Sequence, residues 1–336
     1  MSLKDLSTIL LKTAALIFII FYTLKFIDHY IMPTFITPTP ISSMLKRLEP
    51  SYKFKDFSTF HKDLQNKYVQ LKPDQETVEF LKGCNVIETR PLAYFGQKLV
   101  YNYLRPFVTL TSLHALLDRG GMFVLSSEMY RKMLDFDEKE ENFKKFKNIA
   151  DLGAGDGNVS KRVARALNLS HKSIKVTDVS PTMKYRLKEK GFTVVDENNW
   201  HKSASENEID LESFDAIFML NLLDRCEKPY SMLELAHKTL NKDHGRLIVS
   251  LVFPIRQSIE WRKNRKPDES IYIDKKLPLE RQISLFLREV MAPSGFSLIK
   301  FSKVPYLSEG DIKNPFYELV NIVMVFESVE VDFKKK

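Results

Sequence analysis

Short apolar runs alternate with segments of helical periodicity along the second half of the chain, from Lys147 onward. Apolar runs of four to eight residues indicate buried strands, and apolar residues three or four positions apart indicate helices. Two consecutive strands follow the final helix, so we expect the last strand to insert antiparallel. The pattern predicts an α/β fold with a seven-stranded, Rossmann-like sheet. The predicted strands are residues 148–152, 174–178, 193–196, 214–220, 246–252, 297–303 and 319–326, and the predicted helices are residues 158–167, 231–240 and 279–290.

Residues 45–135 show helical rather than strand-like periodicity. Pro106 is expected to kink or split the second helical segment there, because proline has no backbone N–H to donate. Ser126 or Ser127 is predicted to cap the helix that follows. We expect a helical extension over residues 45–135 and a second domain over residues 136–330.

An uncharged apolar run, TAALIFIIFYTL, lies between Lys12 and Lys25. A basic start followed by such a run is typical of a secretory signal, and the run is shorter than the ~20 residues of a membrane span. No small-x-small cleavage site follows it. Residues 1–32 are therefore expected to be a signal peptide or a signal anchor that is not cleaved, with a core helix as the alternative. Residues 33–44, rich in proline, are predicted to be an extended linker. We expect an endoplasmic reticulum, other endomembrane or mitochondrial location, with membrane association through this segment.

The composition is that of a globular protein. Of 336 residues, 44% are hydrophobic and 28% are charged, unlike a disordered, collagen-like or polytopic membrane chain. The net charge is +8, but basic residues are interleaved with acidic ones, so we expect no nucleic-acid partner. Two cysteines, and seven histidines without close pairing, cannot supply a disulfide framework or a zinc site, so no metal is predicted. We expect a monomer.

A glycine-rich turn, GAGDG, follows the first predicted strand at residues 153–157. A predicted helix begins directly after it, and the next strand ends in Asp178, twenty-one residues beyond Gly157. Glycines allow a tight turn and a close approach of the backbone to a ligand, and the acid can accept bonds from two ribose hydroxyls. These features predict a nucleoside-containing cofactor; the alternative is an acidic turn without a ligand.

The charge of the turn bears on the identity of the cofactor. Dinucleotide enzymes place a third glycine where the pyrophosphate meets the helix N-terminus, whereas here Gly157 comes one residue early. Asp151 and Asp156 would repel a pyrophosphate but suit a cofactor that carries a sulfonium and an ammonium group. We therefore predict S-adenosylmethionine rather than NAD or FAD, and a class I methyltransferase fold.

Four motifs occur in the order of one known family. They are LLDRGGMFVLS at residues 116–126, DLGAGDG at 151–157, NLLDRC at 221–226 and VPYLSEGD at 304–311. On these motifs the sequence resembles the DREV family, that of methyltransferase-like protein nine, over residues 116–326. The resemblance implies N-methylation of protein histidine at the pros (N1) nitrogen, in protein substrates that contain His-x-His with a small middle residue.

The resemblance also implies roles for individual residues. Asp178 matches an acidic position at which glutamate is common, and its shorter carboxylate still reaches ribose hydroxyls. Asn221 is implied in both cofactor binding and catalysis. The other implied residues are Asp151, Gly153 and Gly155 in the cofactor loop, and Asp224 and Tyr306 at the catalytic site.

Elementary chemistry supports the same place for Asn221 and Asp224. Ligands of this fold lie beyond the carboxyl ends of the strands, and the segment NLLD follows the fourth predicted strand. A neutral imidazole must be held as one tautomer with its lone pair toward the methyl group, and a carboxylate bonded to the far N–H does this. Asp224 is the candidate, and its alternative role is to cap the helix near Pro229.

Other features have open interpretations. Tyr306 either walls the substrate pocket or is a core tyrosine. Residues 119–123 either form a lid over the cofactor or only break a helix. Glu309 and Asp311 either attract a cationic substrate or form an acidic surface turn. The polar stretch 201–213 is expected to be a surface loop. The alternative functions are a methyltransferase of a small molecule or lipid, and a non-catalytic scaffold that binds S-adenosylmethionine.

Overall fold

The computed structural model describes most of the chain, which forms two compact units. The described residues are 3–30, 40–89, 91–106, 121–135, 146–202, 211–310 and 314–330. The first unit comprises Met1–Arg47, Gln75–Gly121 and Ser308–Tyr317. The second unit comprises Leu48–Asp74, Met122–Leu307 and Glu318–Lys336, and it contains every residue predicted to act in cofactor binding or catalysis.

One mixed β-sheet forms the framework. Its strands within the described residues are β1 Met122–Phe123, β2 Ile149–Leu152, β3 Ile174–Thr177, β4 Thr193–Val194, β5 Ala216–Leu220, β6 Arg246–Val252, β7 Phe296–Glu309 and β8 Phe316–Ser328. Their spatial order is β1-β7-β8-β6-β5-β2-β3-β4. Strands β6, β5, β2, β3 and β4 pair in parallel. β8 pairs antiparallel with β6, from Leu247↔Phe326 to Val252↔Asn321, which confirms the predicted insertion of the final strand.

The α-helices of the described residues lie before and between these strands. They are α1 Leu3–Tyr30, α2 Ile41–Leu48, α3 Lys62–Asn66, α4 Gln75–Thr89, α5 Pro91–Leu104, α6 Ser127–Leu134, α7 Asn158–Ala166, α8 Pro181–Glu189, α9 Pro229–Thr239 and α10 Leu279–Phe286. α5 ends two residues before Pro106, and the Oγ of Ser126 caps α6 by accepting the backbone N–H of Met129 at 3.0 Å. Of the two serines proposed as this cap, Ser126 fills the role.

The strands at the centre of the sheet are mainly apolar at consecutive positions because both of their faces are buried. All four residues of β2 are buried, as are four of the five in β5 and five of the seven in β6. This continuous burial produced the mainly apolar runs from which the strands were predicted, although β2 also buries Asp151. β1 was not predicted, since two residues are too few to show an alternation.

The segment between α2 and α4 packs on the sheet of the second unit. Aromatic side chains of this segment surround Phe301 of β7, with Phe60 and Tyr68 at ring-centroid distances of 5.5 and 5.4 Å. The backbone N–H of Val69 donates to the Phe301 carbonyl at 2.8 Å, and the Phe301 N–H donates to the Lys67 carbonyl at 3.0 Å. The expectation of one helical extension over residues 45–135 was therefore too simple, because residues 48–74 belong with the sheet.

The first unit contains the N-terminal helix. α1 and α5 pack together around Phe21 and Val100, and the helices approach so closely at Gly96 that a Cβ there would lie 3.1 Å from the Phe21 Cα. Among the helices that the structure describes, none combines the length and the apolar character that a membrane crossing requires.

The predicted linker 33–44 differs from the structure at its end, while residues 33–39 lie outside the described part. α2 begins at Ile41, and the Pro40 carbonyl accepts the N–H groups of Ser43 and Met44 at 3.0 and 3.2 Å. Proline is compatible with the start of a helix, where its missing N–H has no partner to lose. The final residues of the predicted linker are therefore helical.

Candidate active site

Three neighbouring parallel strands, β5, β2 and β3, end at the same edge of the sheet. The glycine-rich loop follows β2, Asp178 follows β3, and Asn221 follows β5. Two backbone hydrogen bonds join the loop to Thr177 at the end of β3. The N–H of Ala154 donates to the Thr177 carbonyl at 2.9 Å, and the N–H of Gly153 donates to the Thr177 hydroxyl at 3.2 Å. The structure therefore brings the predicted cofactor residues to one place.

The glycines of the loop are required by its conformation. Gly153, Gly155 and Gly157 have φ values of +72°, +58° and +78°, in the left-handed region that other residues rarely adopt. A Cβ on Gly153 would lie 2.8 Å from Leu222 Cδ1, whereas a Cβ on Gly155 would meet nothing within 4 Å among the described residues. The absence of a side chain at Gly153 thus leaves room for Leu222 in the loop that follows β5. The backbone at Gly155 borders open space that a cofactor can enter.

Asp178 is held in place by this loop. Its Oδ2 accepts the N–H of Gly155 at 3.0 Å, and its Oδ1 accepts the N–H of Ser180 at 2.8 Å. Burial raises the pKa of Asp178, while these two bonds and Lys184 oppose the rise. Each carboxylate oxygen can accept a further hydrogen bond, so the group suits a pair of ribose hydroxyls. The residues present fit the adenosine part of the predicted cofactor.

Asp151 and Asp156 have partners within the protein. Asp151 is buried, and its Oδ2 accepts the hydroxyl of Ser160 on α7 at 2.6 Å. Burial raises the pKa of Asp151 to about 7, and the charge of Asp178 adds to the rise. Asp156 accepts the N–H of Asn158 at 3.0 Å and has Lys190 Nζ 3.7 Å away. Because both acids have partners within the protein, they give less support to the argument that their charges select a cationic cofactor. Direct contact of Asp151 with the cofactor stays a prediction.

Asn221 adopts a left-handed backbone conformation, φ +55°, directly after β5. Asparagine tolerates this region better than most residues, and such strain is concentrated at functional sites. Its N–H donates to the carbonyl of Ser250 at 2.8 Å. The residue is only 6% exposed, and neither atom of its side-chain amide has a hydrogen-bond partner among the residues that the structure describes. Such an amide is available to a ligand.

Asp224 presents a similar case. It is 7% exposed, and its Oδ1 is buried without a hydrogen-bond partner in the described part of the chain. Its Oδ2 lies 3.8 Å from Nε of Arg225. Burial raises the pKa of Asp224, and Arg225 partly opposes that rise. A buried carboxylate with one unsatisfied oxygen is costly unless a ligand supplies the missing donor.

The alternative role of Asp224 as a helix cap is wrong. The residue before α9 is Lys228, which makes no side-chain capping bond. The cap is supplied by Glu269, whose Oε2 accepts the N–H groups of Tyr230 and Ser231 at 2.7 and 2.9 Å. Sequence reasoning missed Glu269, since nothing in the sequence shows that a loop residue 38 positions away reaches this helix.

Tyr306 is buried near the same carboxylates. Its hydroxyl donates to Sδ of Met122 in β1, and burial raises its pKa, with Asp224 and Asp156 adding to the rise and Arg225 opposing it. Tyr306 is therefore within electrostatic range of Asp224, while its role at the catalytic site stays a prediction. The contact with Met122 was missed, because β1 itself was not predicted.

The remaining predicted features lie mainly in the first unit or the polar stretch 201–213, and several of their residues are outside the described part of the chain. The Glu309 carboxylate accepts the Gly121 N–H at 3.4 Å. Asp311 and two of the five residues of the possible lid, Arg119 and Gly120, lie outside the described residues. Residues 203–210 of the polar stretch also lie outside them. Glu212, at the end of that stretch, accepts Nδ2 of Asn148 just before β2, so this end lies at the opposite edge of the sheet from Asp178.

The described residues contain no group of three or more His, Cys, Asp or Glu side chains placed to hold a metal ion. Cys84 and Cys226 are buried, and neither forms a disulfide with a described residue. The site therefore consists of a glycine loop, a strand-end acid and two buried polar side chains.

A parallel β5-β2-β3 core, a glycine loop followed by an acid at the next strand end, and an antiparallel final strand define a methyltransferase that uses S-adenosylmethionine. A family model for the DREV methyltransferases matches residues 54–328. The chain belongs to the DREV methyltransferase family. The match begins well before residue 116, where the motifs first showed the resemblance, and it includes the segment that packs on Phe301.

Solved structures with a similar arrangement are distant. A TehB-like SAM-dependent methyltransferase of Corynebacterium glutamicum is 14% identical, with 61% of this chain and 89% of that chain covered and a TM-score of 0.34. LepI in complex with SAH and a substrate analogue is 14% identical, with 73% and 54% covered and a TM-score of 0.36. A pericyclic reaction enzyme is 13% identical, with 70% and 58% covered and a TM-score of 0.41. The chain thus spans little more than half of the length of the last two, and these similarities do not bear on its substrate.

Proposed function

We propose that the protein methylates histidine side chains of other proteins, at the pros nitrogen of His-x-His segments. The proposal rests on membership of the DREV family together with one observation, the unsatisfied buried oxygen of Asp224 beside the end of β5. S-adenosylmethionine supplies the methyl group. No His-x-His occurs in this chain, so the substrate must be another protein.

Asp224 suits the needs of an imidazole acceptor. A neutral imidazole has one N–H and one lone pair, and the lone pair must point at the methyl carbon. A hydrogen bond from the tele N–H to the free Oδ1 of Asp224 fixes that tautomer. As the pros nitrogen forms its new bond to carbon, the bond from carbon to sulfur breaks with its electron pair on sulfur. The ring becomes cationic, and the nearby carboxylate stabilises it until the tele proton leaves.

Asn221 and Tyr306 contribute positioning. The Asn221 amide has a free donor and a free acceptor, which suit the polar end of the cofactor or a substrate peptide carbonyl. Tyr306 is fixed through Met122 and lies near Asp224, so we place it in the wall of the acceptor pocket. Both are positioning residues in this scheme, and Asp224 is the catalytic residue.

The direct test is a methyl-transfer assay with a His-Ala-His peptide and isotopically labelled cofactor, followed by identification of the modified nitrogen. We expect one methyl group at the pros position and much lower turnover when either histidine is replaced by alanine. Equal rates on peptides with a single histidine would remove the His-x-His preference. Labelling of the tele nitrogen would show that the assigned tautomer is wrong.

A further inference from the structure

Residues 261–266, with the sequence WRKNRK, form a turn that we call the basic turn. The carboxylate of Glu227 fixes it to the segment that follows Asp224. Glu227 Oε1 accepts Nε of Arg262 at 2.7 Å and Nε1 of Trp261 at 2.9 Å. Arg262 also binds both carboxylate oxygens of Asp268, at 2.5 and 3.0 Å. These contacts hold the turn in one place.

The other cations of the basic turn are available. Lys263, Arg265 and Lys266 are exposed, and no hydrogen bond or ion pair joins their side chains to any residue that the structure describes. Of the acids adjacent to the turn, Glu227 and Asp268 are occupied by Arg262, and Glu260 has an interaction of its own. Three unpaired positive charges therefore remain on one rigid turn, beside a Trp261 ring that is 49% exposed.

The basic turn lies close to the candidate catalytic carboxylate. The carbonyl of Asp224 accepts the N–H of Ser258 at 2.9 Å, and the N–H of the next residue, Ile259, donates to the carbonyl of Arg265 at 3.0 Å. Hydrogen-bonded backbone neighbours have Cα atoms about 5.5 Å apart and consecutive residues 3.8 Å. The Cα atoms of Asp224 and Arg265 are thus at most about 15 Å apart, the length of about five extended residues.

We propose that the basic turn is a docking site for acidic side chains of the substrate polypeptide, about five residues from the methylated histidine. This inference rests on the proposed function. It adds a description of the substrate class: polypeptides that carry acidic residues on either side of the target histidine. Exposed charges of this kind act mainly on encounter and binding, and salt weakens them. The preference should therefore appear in affinity and KM, with little change in kcat.

The test compares three labelled peptides with a central His-Ala-His and either three Glu, three Gln or three Lys placed about four to six residues away on both sides. Their affinity is measured by fluorescence polarisation with S-adenosylhomocysteine present, and their turnover is measured separately. The test variant is K263E/K266E. The control is K147E/K172E, which changes the charge equally at exposed lysines that precede β2 and β3, at the opposite edge of the sheet.

We expect the wild type to bind the Glu peptide about tenfold more tightly than the Gln peptide, and the Lys peptide more weakly still, as expected for complementary charge. K263E/K266E should lose this preference and keep its affinity for the Gln peptide, while K147E/K172E should behave as wild type. Equal affinity for the Glu and Gln peptides would overturn the inference. An unchanged preference in K263E/K266E would also overturn it. The binding of phosphatidylserine vesicles and of a single-stranded oligonucleotide is measured alongside, and a variant that loses only one of these and keeps the peptide preference would overturn the inference as well. Absence of turnover on every peptide would count against the proposed function, while the affinities would still decide this one.

Discussion

Replacement of Asp224 by asparagine separates a catalytic carboxylate from a structural one. Asparagine keeps the shape and can still accept the imidazole N–H, but it cannot offset the positive charge that forms on the ring. Two unit charges about 4 Å apart interact by ~4 kcal/mol at an effective dielectric constant of ~20. Arg225, whose Nε lies 3.8 Å from Asp224 Oδ2, reduces this benefit, although half of its side chain is exposed. We therefore expect turnover to fall by about 10²–10³, the usual range for one electrostatic contact.

The same substitution should not destabilise the protein. Because burial raises the pKa of Asp224 in the folded state, stability is lost as the pH rises above the unfolded-state pKa of the carboxyl, and the loss is complete once the pH passes the folded-state pKa. Asp224→Asn should thus leave the melting temperature at pH 8 unchanged or higher, with S-adenosylhomocysteine affinity by calorimetry close to wild type. Near-normal turnover, or a drop in melting temperature that accounts for the lost activity, would refute the catalytic role.

Three further substitutions test the surrounding structure. Gly153→Ala should lower S-adenosylhomocysteine affinity in calorimetry, because its Cβ would meet Leu222 at 2.8 Å on a left-handed backbone; an unchanged affinity in a folded variant would contradict this. Asp151 has a folded pKa of about 7, so its contribution to stability is present below its unfolded pKa and is lost as the pH rises to about 7. Asp151→Asn should remove this loss, which amounts to up to about 4 kcal/mol of the free energy of unfolding at pH 8, measured by chemical denaturation. If the variant shows the same dependence of that free energy on pH as the wild type, Asp151 is not the titrating group. Glu269→Ala should cost about 0.5–2 kcal/mol through the lost cap of α9, with the slope of the urea transition unchanged.

The sheet could be predicted from the sequence because its signals are local. Each central strand is buried on both faces, so a short and mainly apolar run marks it without knowledge of its neighbours. Asp178 was also found locally, since the distance from the glycine loop to the next strand end is set by one helix. β1 and the packing of residues 48–74 were not found. Their partners, Tyr306 and Phe301, lie more than 180 residues further along the chain. The local pattern of apolar residues does not indicate contacts over such a separation.

The site could be predicted as a set of residues but not as a set of contacts. The sequence placed Asn221 and Asp224 at a strand end, while their unsatisfied polar atoms appear only in the folded chain. The acids of the loop show the same limit. Charge and the family resemblance assigned Asp151 to the cofactor loop, but the sequence did not show that its carboxylate accepts the hydroxyl of Ser160 on α7, and its contact with the cofactor stays a prediction.

The position of β8 has a consequence for synthesis of the protein. β8 lies between β6 and β7, so both of these strands keep an unpaired edge until residues 316–328 leave the ribosome. Exposed strand edges are templates for pairing with other chains. The parallel half of the sheet, with its cofactor loop, can form during translation, but the nascent chain stays open to aggregation until its last strand arrives. A stop codon before residue 316 should therefore yield insoluble protein rather than a smaller enzyme, even though the cofactor loop and the segment NLLD would both have been made.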